Sequence, residues 1–355
     1  MRLALDPSGN VLLTGWMNGS LDLGDECSVG WFGGTAFLAK LDGDGKSVFC
    51  HMLGGKMTAG SWGNSVGASA AGDVVVVGGF DGGDHDFGWG TIAGQAGYGS
   101  FALAFDALGK FRWAVPITGG TDVMARRVLV SPDGIVHVGG DFKGKMSAGL
   151  ESAGNRDISV LEISADGAPV WARRFGGSGF DVLTAMTADA QGGLIFGGAS
   201  QGGFDLGAGP LVGEGDFNAL VARLDSKGNA VFGRLYDGGG EQFVVELTAD
   251  ELGNVLVVGT YTATIDLGGG SLPSLNPAVR SVFLARLDPA GNHVWSRGIG
   301  IQKIPINSIG YRLALDRSHN ALISGSFGGA IDLENGAKPL YSSQNNAIFV
   351  AKIAP

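Results

Sequence analysis

The chain is poor in cations, in cysteine and in long apolar runs. Lys and Arg number 24 against 34 Asp and Glu, leaving a net charge of −10. The few basic residues are scattered, so no surface tracks a phosphate backbone and no nucleic-acid partner is expected. The acidity favours solubility and is compatible with cation binding. No apolar run approaches about 18 residues, so no membrane-spanning helix is expected. The opening stretch, MRLALDPSGN, lacks the basic region, apolar core and cleavage site of a signal peptide and reads as a strand and turn. Only two cysteines occur, Cys27 and Cys50. Two unpaired small residues are the favoured reading over a structural disulfide, and the pair does not decide the redox compartment. No segment sustains a helical period.

Glycine is the abundant residue, with 65 copies. There is no G-X-Y period and aliphatic residues are plentiful, so neither collagen nor disorder fits. Turn-dense, all-β structure does. Residues 243–300 give the cleanest view of it: VVELTAD, VLVVG, a Gly/Pro-rich connection carrying TIDLG, then VFLARLD and HVWSRGIG. These are four short apolar runs bounded by Gly, Asn, Asp and Pro, which are strand signals.

The same unit recurs along the whole chain at a period of about 60 residues. A turn glycine recurs at Gly9, Gly72, Gly134, Gly192 and Gly253, with His319 in its place in the last unit. A second recurs at Gly45, Gly109, Gly167, Gly228 and Gly291. Four residues later stands an aromatic each time: Phe49, Trp113, Trp171, Phe232 and Trp295. These aromatics are expected to pack between units. One four-stranded sheet cannot bury both faces alone, and radial stacking of copies gives a β-propeller. A linear solenoid, the rival, usually has a shorter period and polar caps. The expectation is one all-β domain over 1–355, a six-bladed β-propeller with blades near 1–55, 56–120, 121–177, 178–239, 240–300 and 301–355.

The stretches ALD-xx-GN-VLLTG, the DLG or DFG of the long connection, and FLAKLD-xx-G-xxxW resemble the SBBP-type β-propeller repeat family of bacterial surface and secreted proteins. The LD-xx-GN-xVW stretch is also similar to the repeats of quinoprotein-like propellers, without an identifiable cofactor site, and no cofactor is expected. The resemblance spans essentially the whole chain and implies an extracellular or cell-surface location if a signal peptide is missing from a truncated N-terminus; otherwise the location is left open. The sixth unit stops at its third strand, AKIAP, so the last blade is expected to lack its outer strand, and a truncated chain is the favoured explanation.

Few residues could hold chemistry. The DGDG at 42–45 reads as a hairpin turn, since the other units carry DALG, SADG, DSKG and DPAG there. The paired glycines precede no helix, so they are not phosphate loops. The five histidines lack metal-ligand spacing, and no metal site is expected. Asp122, Asp181 and Glu241 each fall just before an innermost strand. In a propeller such crossings line one channel mouth, where acids could bind a cation or act in acid/base steps; the simpler reading is that each caps its own turn. Asp22, Asp86, Asp205, Asp266 and Asp332 of the islands read as architectural. Aromatics outside the repeated register cluster in the first two units: Trp16, Trp31, Phe32, Trp62, Trp89 and Tyr98. Propeller geometry puts them on one sector of one loop face, suited to a glycan or protein ligand; filling small loop cores, or contact with an upstream segment, are the alternatives. The leading expectation is a non-enzymatic binding module, and the other is a propeller lyase or glycosidase acting on polysaccharide.

Overall fold

The computed structural model describes every residue except 25–26, 55–59, 88, 214–215, 275–279, 302–310, 334–338 and 355. The described residues form strands and turns, with no helix among them. The chain divides into two compact parts, Met1–Arg174 and Phe175–Pro355. In the first, repeat one is an antiparallel meander of Arg2–Leu5, Val11–Asp22, Ser28–Leu41 and Ser47–Leu53. Repeat two follows as Ser61–Ala68, Val74–Asp81, Tyr98–Phe105 and Phe111–Ile117. Repeat three is Asp122–Val130, Val136–Lys143, Asp157–Ile163 and Pro169–Phe175. In the second part, repeat four is Asp181–Ala188, Leu194–Gln201, Phe217–Leu224 and Ala230–Tyr236. Repeat five is Gln242–Ala249, Val255–Tyr261, Ser281–Leu287 and His293–Ile301. Repeat six has three strands among the described residues: Arg312–Leu315, Ala321–Asp332 and Leu340–Ile353.

Local sequence explains the strand boundaries. Each first hairpin closes on a residue whose side chain holds the turn. Asp250 Oδ1 accepts the N–H groups of Leu252 (3.0 Å) and Asn254 (2.8 Å), and the Asn254 amide reaches its other oxygen at 2.9 Å. In the hairpin between the third and fourth strands of repeat one, Asp42 Oδ1 likewise accepts the N–H groups of Asp44 and Lys46, so the DGDG motif is a hairpin turn as expected. His319, in the glycine position of the sixth repeat, keeps the turn with φ of 59°, a left-handed conformation that His adopts more readily than most residues. The island aspartates are architectural where their bonds are described. Asp205 Oδ1 accepts Gly207 N–H at 2.7 Å and Asp266 Oδ1 accepts Gly268 N–H at 2.8 Å.

The second strands of repeats two, four and five are buried on both faces, and read accordingly as near-continuous apolar runs. The fourth strand of repeat two alternates between half-buried and exposed until its last residue, Ile117, which is buried. The cores lie between consecutive repeats. One cluster joins Leu12 and Leu38 of repeat one to Val74, Phe101 and Phe105 of repeat two. Others join repeats two and three, four and five, and five and six. The aromatic register explains the spacing. The Phe49 ring lies on Gly109, the Trp113 ring on Gly167 and the Phe232 ring on Gly291, each glycine belonging to the next repeat. A Cβ at Gly167 would stand 2.7 Å from the indole, and its φ of 91° also favours glycine. Trp113 Nε1–H donates to Ala165 O at 3.0 Å, so the half-buried indole is both packed and satisfied.

Cys27 and Cys50 are bonded, which corrects the unpaired reading. The physical reason is the hairpin of repeat one. Ala39 pairs with Cys50 in the sheet, and Cys27 sits just before the long third strand, bringing the two Cα atoms within 5.5 Å.

Candidate functional site

An ion pair recurs that the sequence reading did not isolate. The aspartate of the first turn meets a basic side chain from the third strand in four repeats: Asp6–Lys40 at 2.8 Å, Asp189–Arg223 at 2.7 Å, Asp250–Arg286 at 2.6 Å and Asp316–Lys352 at 2.6 Å. Lys40 Nζ also donates to Ala107 O in repeat two, and Arg223 to Pro289 O in repeat five, so the pair straps neighbouring repeats together. Burial pushes the Asp6 carboxyl up, but bonds from Lys40 and Asn10 outweigh it and hold the group at about 2. Repeat three departs from the pattern. Ser131 replaces the aspartate and Glu162 replaces the base, and Glu162 Oε2 instead meets His137 Nε2 at 2.9 Å. Burial pushes the His137 imidazole below its ordinary value, against the pull of Glu162 and Asp133.

The three acids noted before the innermost strands are engaged locally. Asp122 pairs with Arg156, whose guanidinium also meets buried Asp141 at 2.5 Å, and Arg126 closes on the same carboxylate. Burial pushes the Asp141 carboxyl up, while Arg126 pulls it down less strongly. Asp181 is fully buried, accepts Gly177 N–H at 2.9 Å and bonds the Ser200 hydroxyl. Glu241 pairs with Arg280. Asp122 and Glu241 hold equivalent places, each bound to the arginine that precedes the third strand of its own repeat. Asp181 is the buried turn cap that the simpler reading describes.

The loop aromatics do not gather into one patch. Trp62 meets Tyr98 edge to face, with centroids 5.6 Å apart, and its ring lies against Gly79. Trp16, 57% exposed, rests over Gly34. The backbone of Trp31 pairs with Gly19, and its side chain, like that of Phe32, lies outside the described residues. Trp89 is elsewhere, which corrects the single-sector expectation. Its island hairpin, His85–Asp86 with Thr91–Ile92, folds back along the sheet and buries Phe87 against Phe101. That carries Trp89 to the far end of the strands, where it stacks on Phe111 at 5.1 Å and 4° and meets Phe105 and His51 edge-on.

A mainly apolar groove of about 630 Å³ lies in the first part, between repeats two and three. Val115 and Ile117 form one wall, and Leu161, Ile163, Pro169 and Val170 the other. Glu162 and Trp171 also line the groove, and the Trp171 ring lies 5.9 Å from that of His137, the partner of Glu162. Among the described residues no group of three or more His, Cys, Asp or Glu side chains could hold a metal ion.

No protein-family model and no curated protein matches the chain. Among solved structures it is similar to a protein of unknown function from Bacteroides caccae, at 16% identity over 80% of this chain and 93% of that one, with a TM-score of 0.31. It is also similar to a member of the DUF4221 family from Bacteroides vulgatus, at 8% identity over 99% of this chain and 97% of that one, with a TM-score of 0.37.

Proposed function

We propose that the chain is a six-bladed β-propeller of SBBP type, its last blade lacking an outer strand, that serves as a non-enzymatic binding module of a bacterial surface or secreted protein. The blade reading rests on the recurring meanders and on cores that lie between consecutive repeats. The extracellular reading is supported by the Cys27–Cys50 disulfide, since such bonds persist in oxidising compartments. Binding is favoured over catalysis because the acids that could serve as acid or base are held by arginines or by turn groups.

The observation that most favours binding is the apolar groove between repeats two and three, whose volume falls in the usual range for ligand sites. The test is a screen of the purified chain against glycans and proteins, run beside assays of polysaccharide cleavage. Saturable binding without turnover is the expected result. Turnover of any polysaccharide, abolished by a substitution among Asp122, Asp181 and Glu241, would overturn it.

A further inference from the structure

The groove between repeats two and three has a counterpart one repeat earlier, and there it is filled. Counting from the turn glycines Gly109 and Gly167, Pro169 stands where Phe111 does, and Ile163 where Phe105 does. Counting from Gly45 and Gly109, Val115 stands where His51 does. Phe111, Phe105 and His51 are the three residues that hold the Trp89 ring. Their equivalents Pro169, Ile163 and Val115 all line the open groove.

The difference is at the hairpin tip. Repeat two presents Trp89, whereas the hairpin of repeat three, closed by Met146 N–H to Leu150 O at 2.9 Å, presents Ser147 and Ala148. Beside Trp89 a cavity of about 300 Å³ remains, against about 630 Å³ in the groove where the hairpin offers only Ser147 and Ala148. The walls are mainly apolar, which suits a flat hydrocarbon ring, and Glu162 and Ser147 are the polar residues among them.

Resting on the binding-module reading, we propose that the groove between repeats two and three binds the flat aromatic ring of a small molecule, of indole size, in the place that Trp89 occupies between repeats one and two. The ring lies between Val115 and Ile163, with one face toward Pro169. Most of the wall is apolar, with Trp171 beside the aliphatic side chains, so shape and burial of apolar area provide the affinity, and polar substituents of the ligand point out past Ser147.

The test uses indole as the probe and the whole chain with labelled methyl groups. Saturable shifts at Val115, Leu161 and Ile163, with ring-to-methyl Overhauser contacts, are expected. Ala148→Trp supplies the missing ring from within and should weaken indole binding at least about tenfold. Trp89→Ala vacates the first groove and should add a second, equivalent binding event. The wild-type methyl contacts decide the matter even if a variant fails to fold. Absence of saturable shifts at those methyls, or unchanged indole affinity in a folded Ala148→Trp protein, overturns the proposal. A glycan or protein ligand from the wider screen that ignores Ala148→Trp, with no indole bound at the groove, would overturn it too, while leaving the binding module standing.

Discussion

Repeat five and repeat three are each a four-stranded meander, yet they treat the same two positions oppositely. In repeat five the turn aspartate, Asp250, is almost fully buried and is held by Arg286 from the third strand. In repeat three the turn residue is the neutral Ser131, which bonds Ile135 O at 3.1 Å, and the third strand offers the acid Glu162 to His137. Changing only one of the two positions would strand a charge in a poorly solvated place. The departure is therefore paired, and it releases repeat three from the strap that repeats one, four, five and six share. A residue that recurs answers to the sheet; one that breaks the pattern in step with its partner answers to a local need.

Breaking the strap in repeat five should have the largest effect. Arg286→Met removes the guanidinium from Asp250, although the turn N–H groups, the Asn254 amide and His319, 3.5 Å away, remain. The expected loss is about 2–3 kcal/mol in denaturant unfolding, somewhat below the cost of stripping a fully buried pair. Glu162→Gln in repeat three should cost less than about 1 kcal/mol, because the amide still bonds His137. Equal losses at the two sites would remove the distinction drawn between them.

Next in size come the turn glycines, where the two repeats should agree. Gly167→Ala and Gly291→Ala each place a Cβ at positive φ against an aromatic ring, Trp113 in one case and Phe232 in the other. Each should lose about 2 kcal/mol, from the left-handed conformation plus displacement of the ring. If only one is sensitive, the shared docking of ring on turn does not hold.

Converting repeat three to the common pattern sharpens the contrast from the other side. Ser131→Asp with Glu162→Arg should restore the strap and raise the unfolding midpoint, a gain of about 0.5–1 kcal/mol. Ser131→Asp alone should destabilise, because Glu162 then faces a second acid.

The smallest effect is on pH dependence. The folded His137 value lies below the ordinary one, so the unfolded chain takes up more protons as pH falls through about 6.5, and stability drops there. His137→Gln should flatten the unfolding midpoint between pH 7.5 and 5.5. Asp250 is also depressed: burial pushes it up, but Asn254, Arg286 and Leu252 N–H pull it down further. Its contribution is kept above the unfolded carboxylate value and fades only as pH falls below about 4. A slope unchanged by His137→Gln would assign the mild-acid loss elsewhere, with buried His51 the next group to replace.

Much of the fold was legible because the repeat writes it six times. Strand order, both turn glycines and the ring four residues after the second turn could be read from spacing alone. The strap was legible too. Asp6 and Lys40, Asp189 and Arg223, Asp250 and Arg286, and Asp316 and Lys352 stand at nearly constant separation, a signal available in ALD and FLAKLD but not joined. The disulfide has no counterpart in other repeats, so no register pointed to it. The position of Trp89 was hidden because a connection that leaves one end of a sheet can fold back to the other. The groove was least visible of all, since its signal is a small residue, Ala148, where a neighbour has a large one.

The ring that lands on the next repeat's turn gives every such junction a direction. Repeat one lends Phe49, repeat two lends Trp113 and repeat four lends Phe232, and in each case the receiver is the later segment. A lender and a receiver are not interchangeable, so a segment turned end for end would meet its neighbour ring to ring or turn to turn. Lengthening the chain by gene duplication therefore preserves every match only when the copied piece is a whole number of repeats. A cut anywhere inside a repeat still joins correctly if the inserted stretch begins and ends at the same phase. The unit of evolutionary change is fixed by that phase, of about 60 residues, and not by where one sheet stops and the next begins.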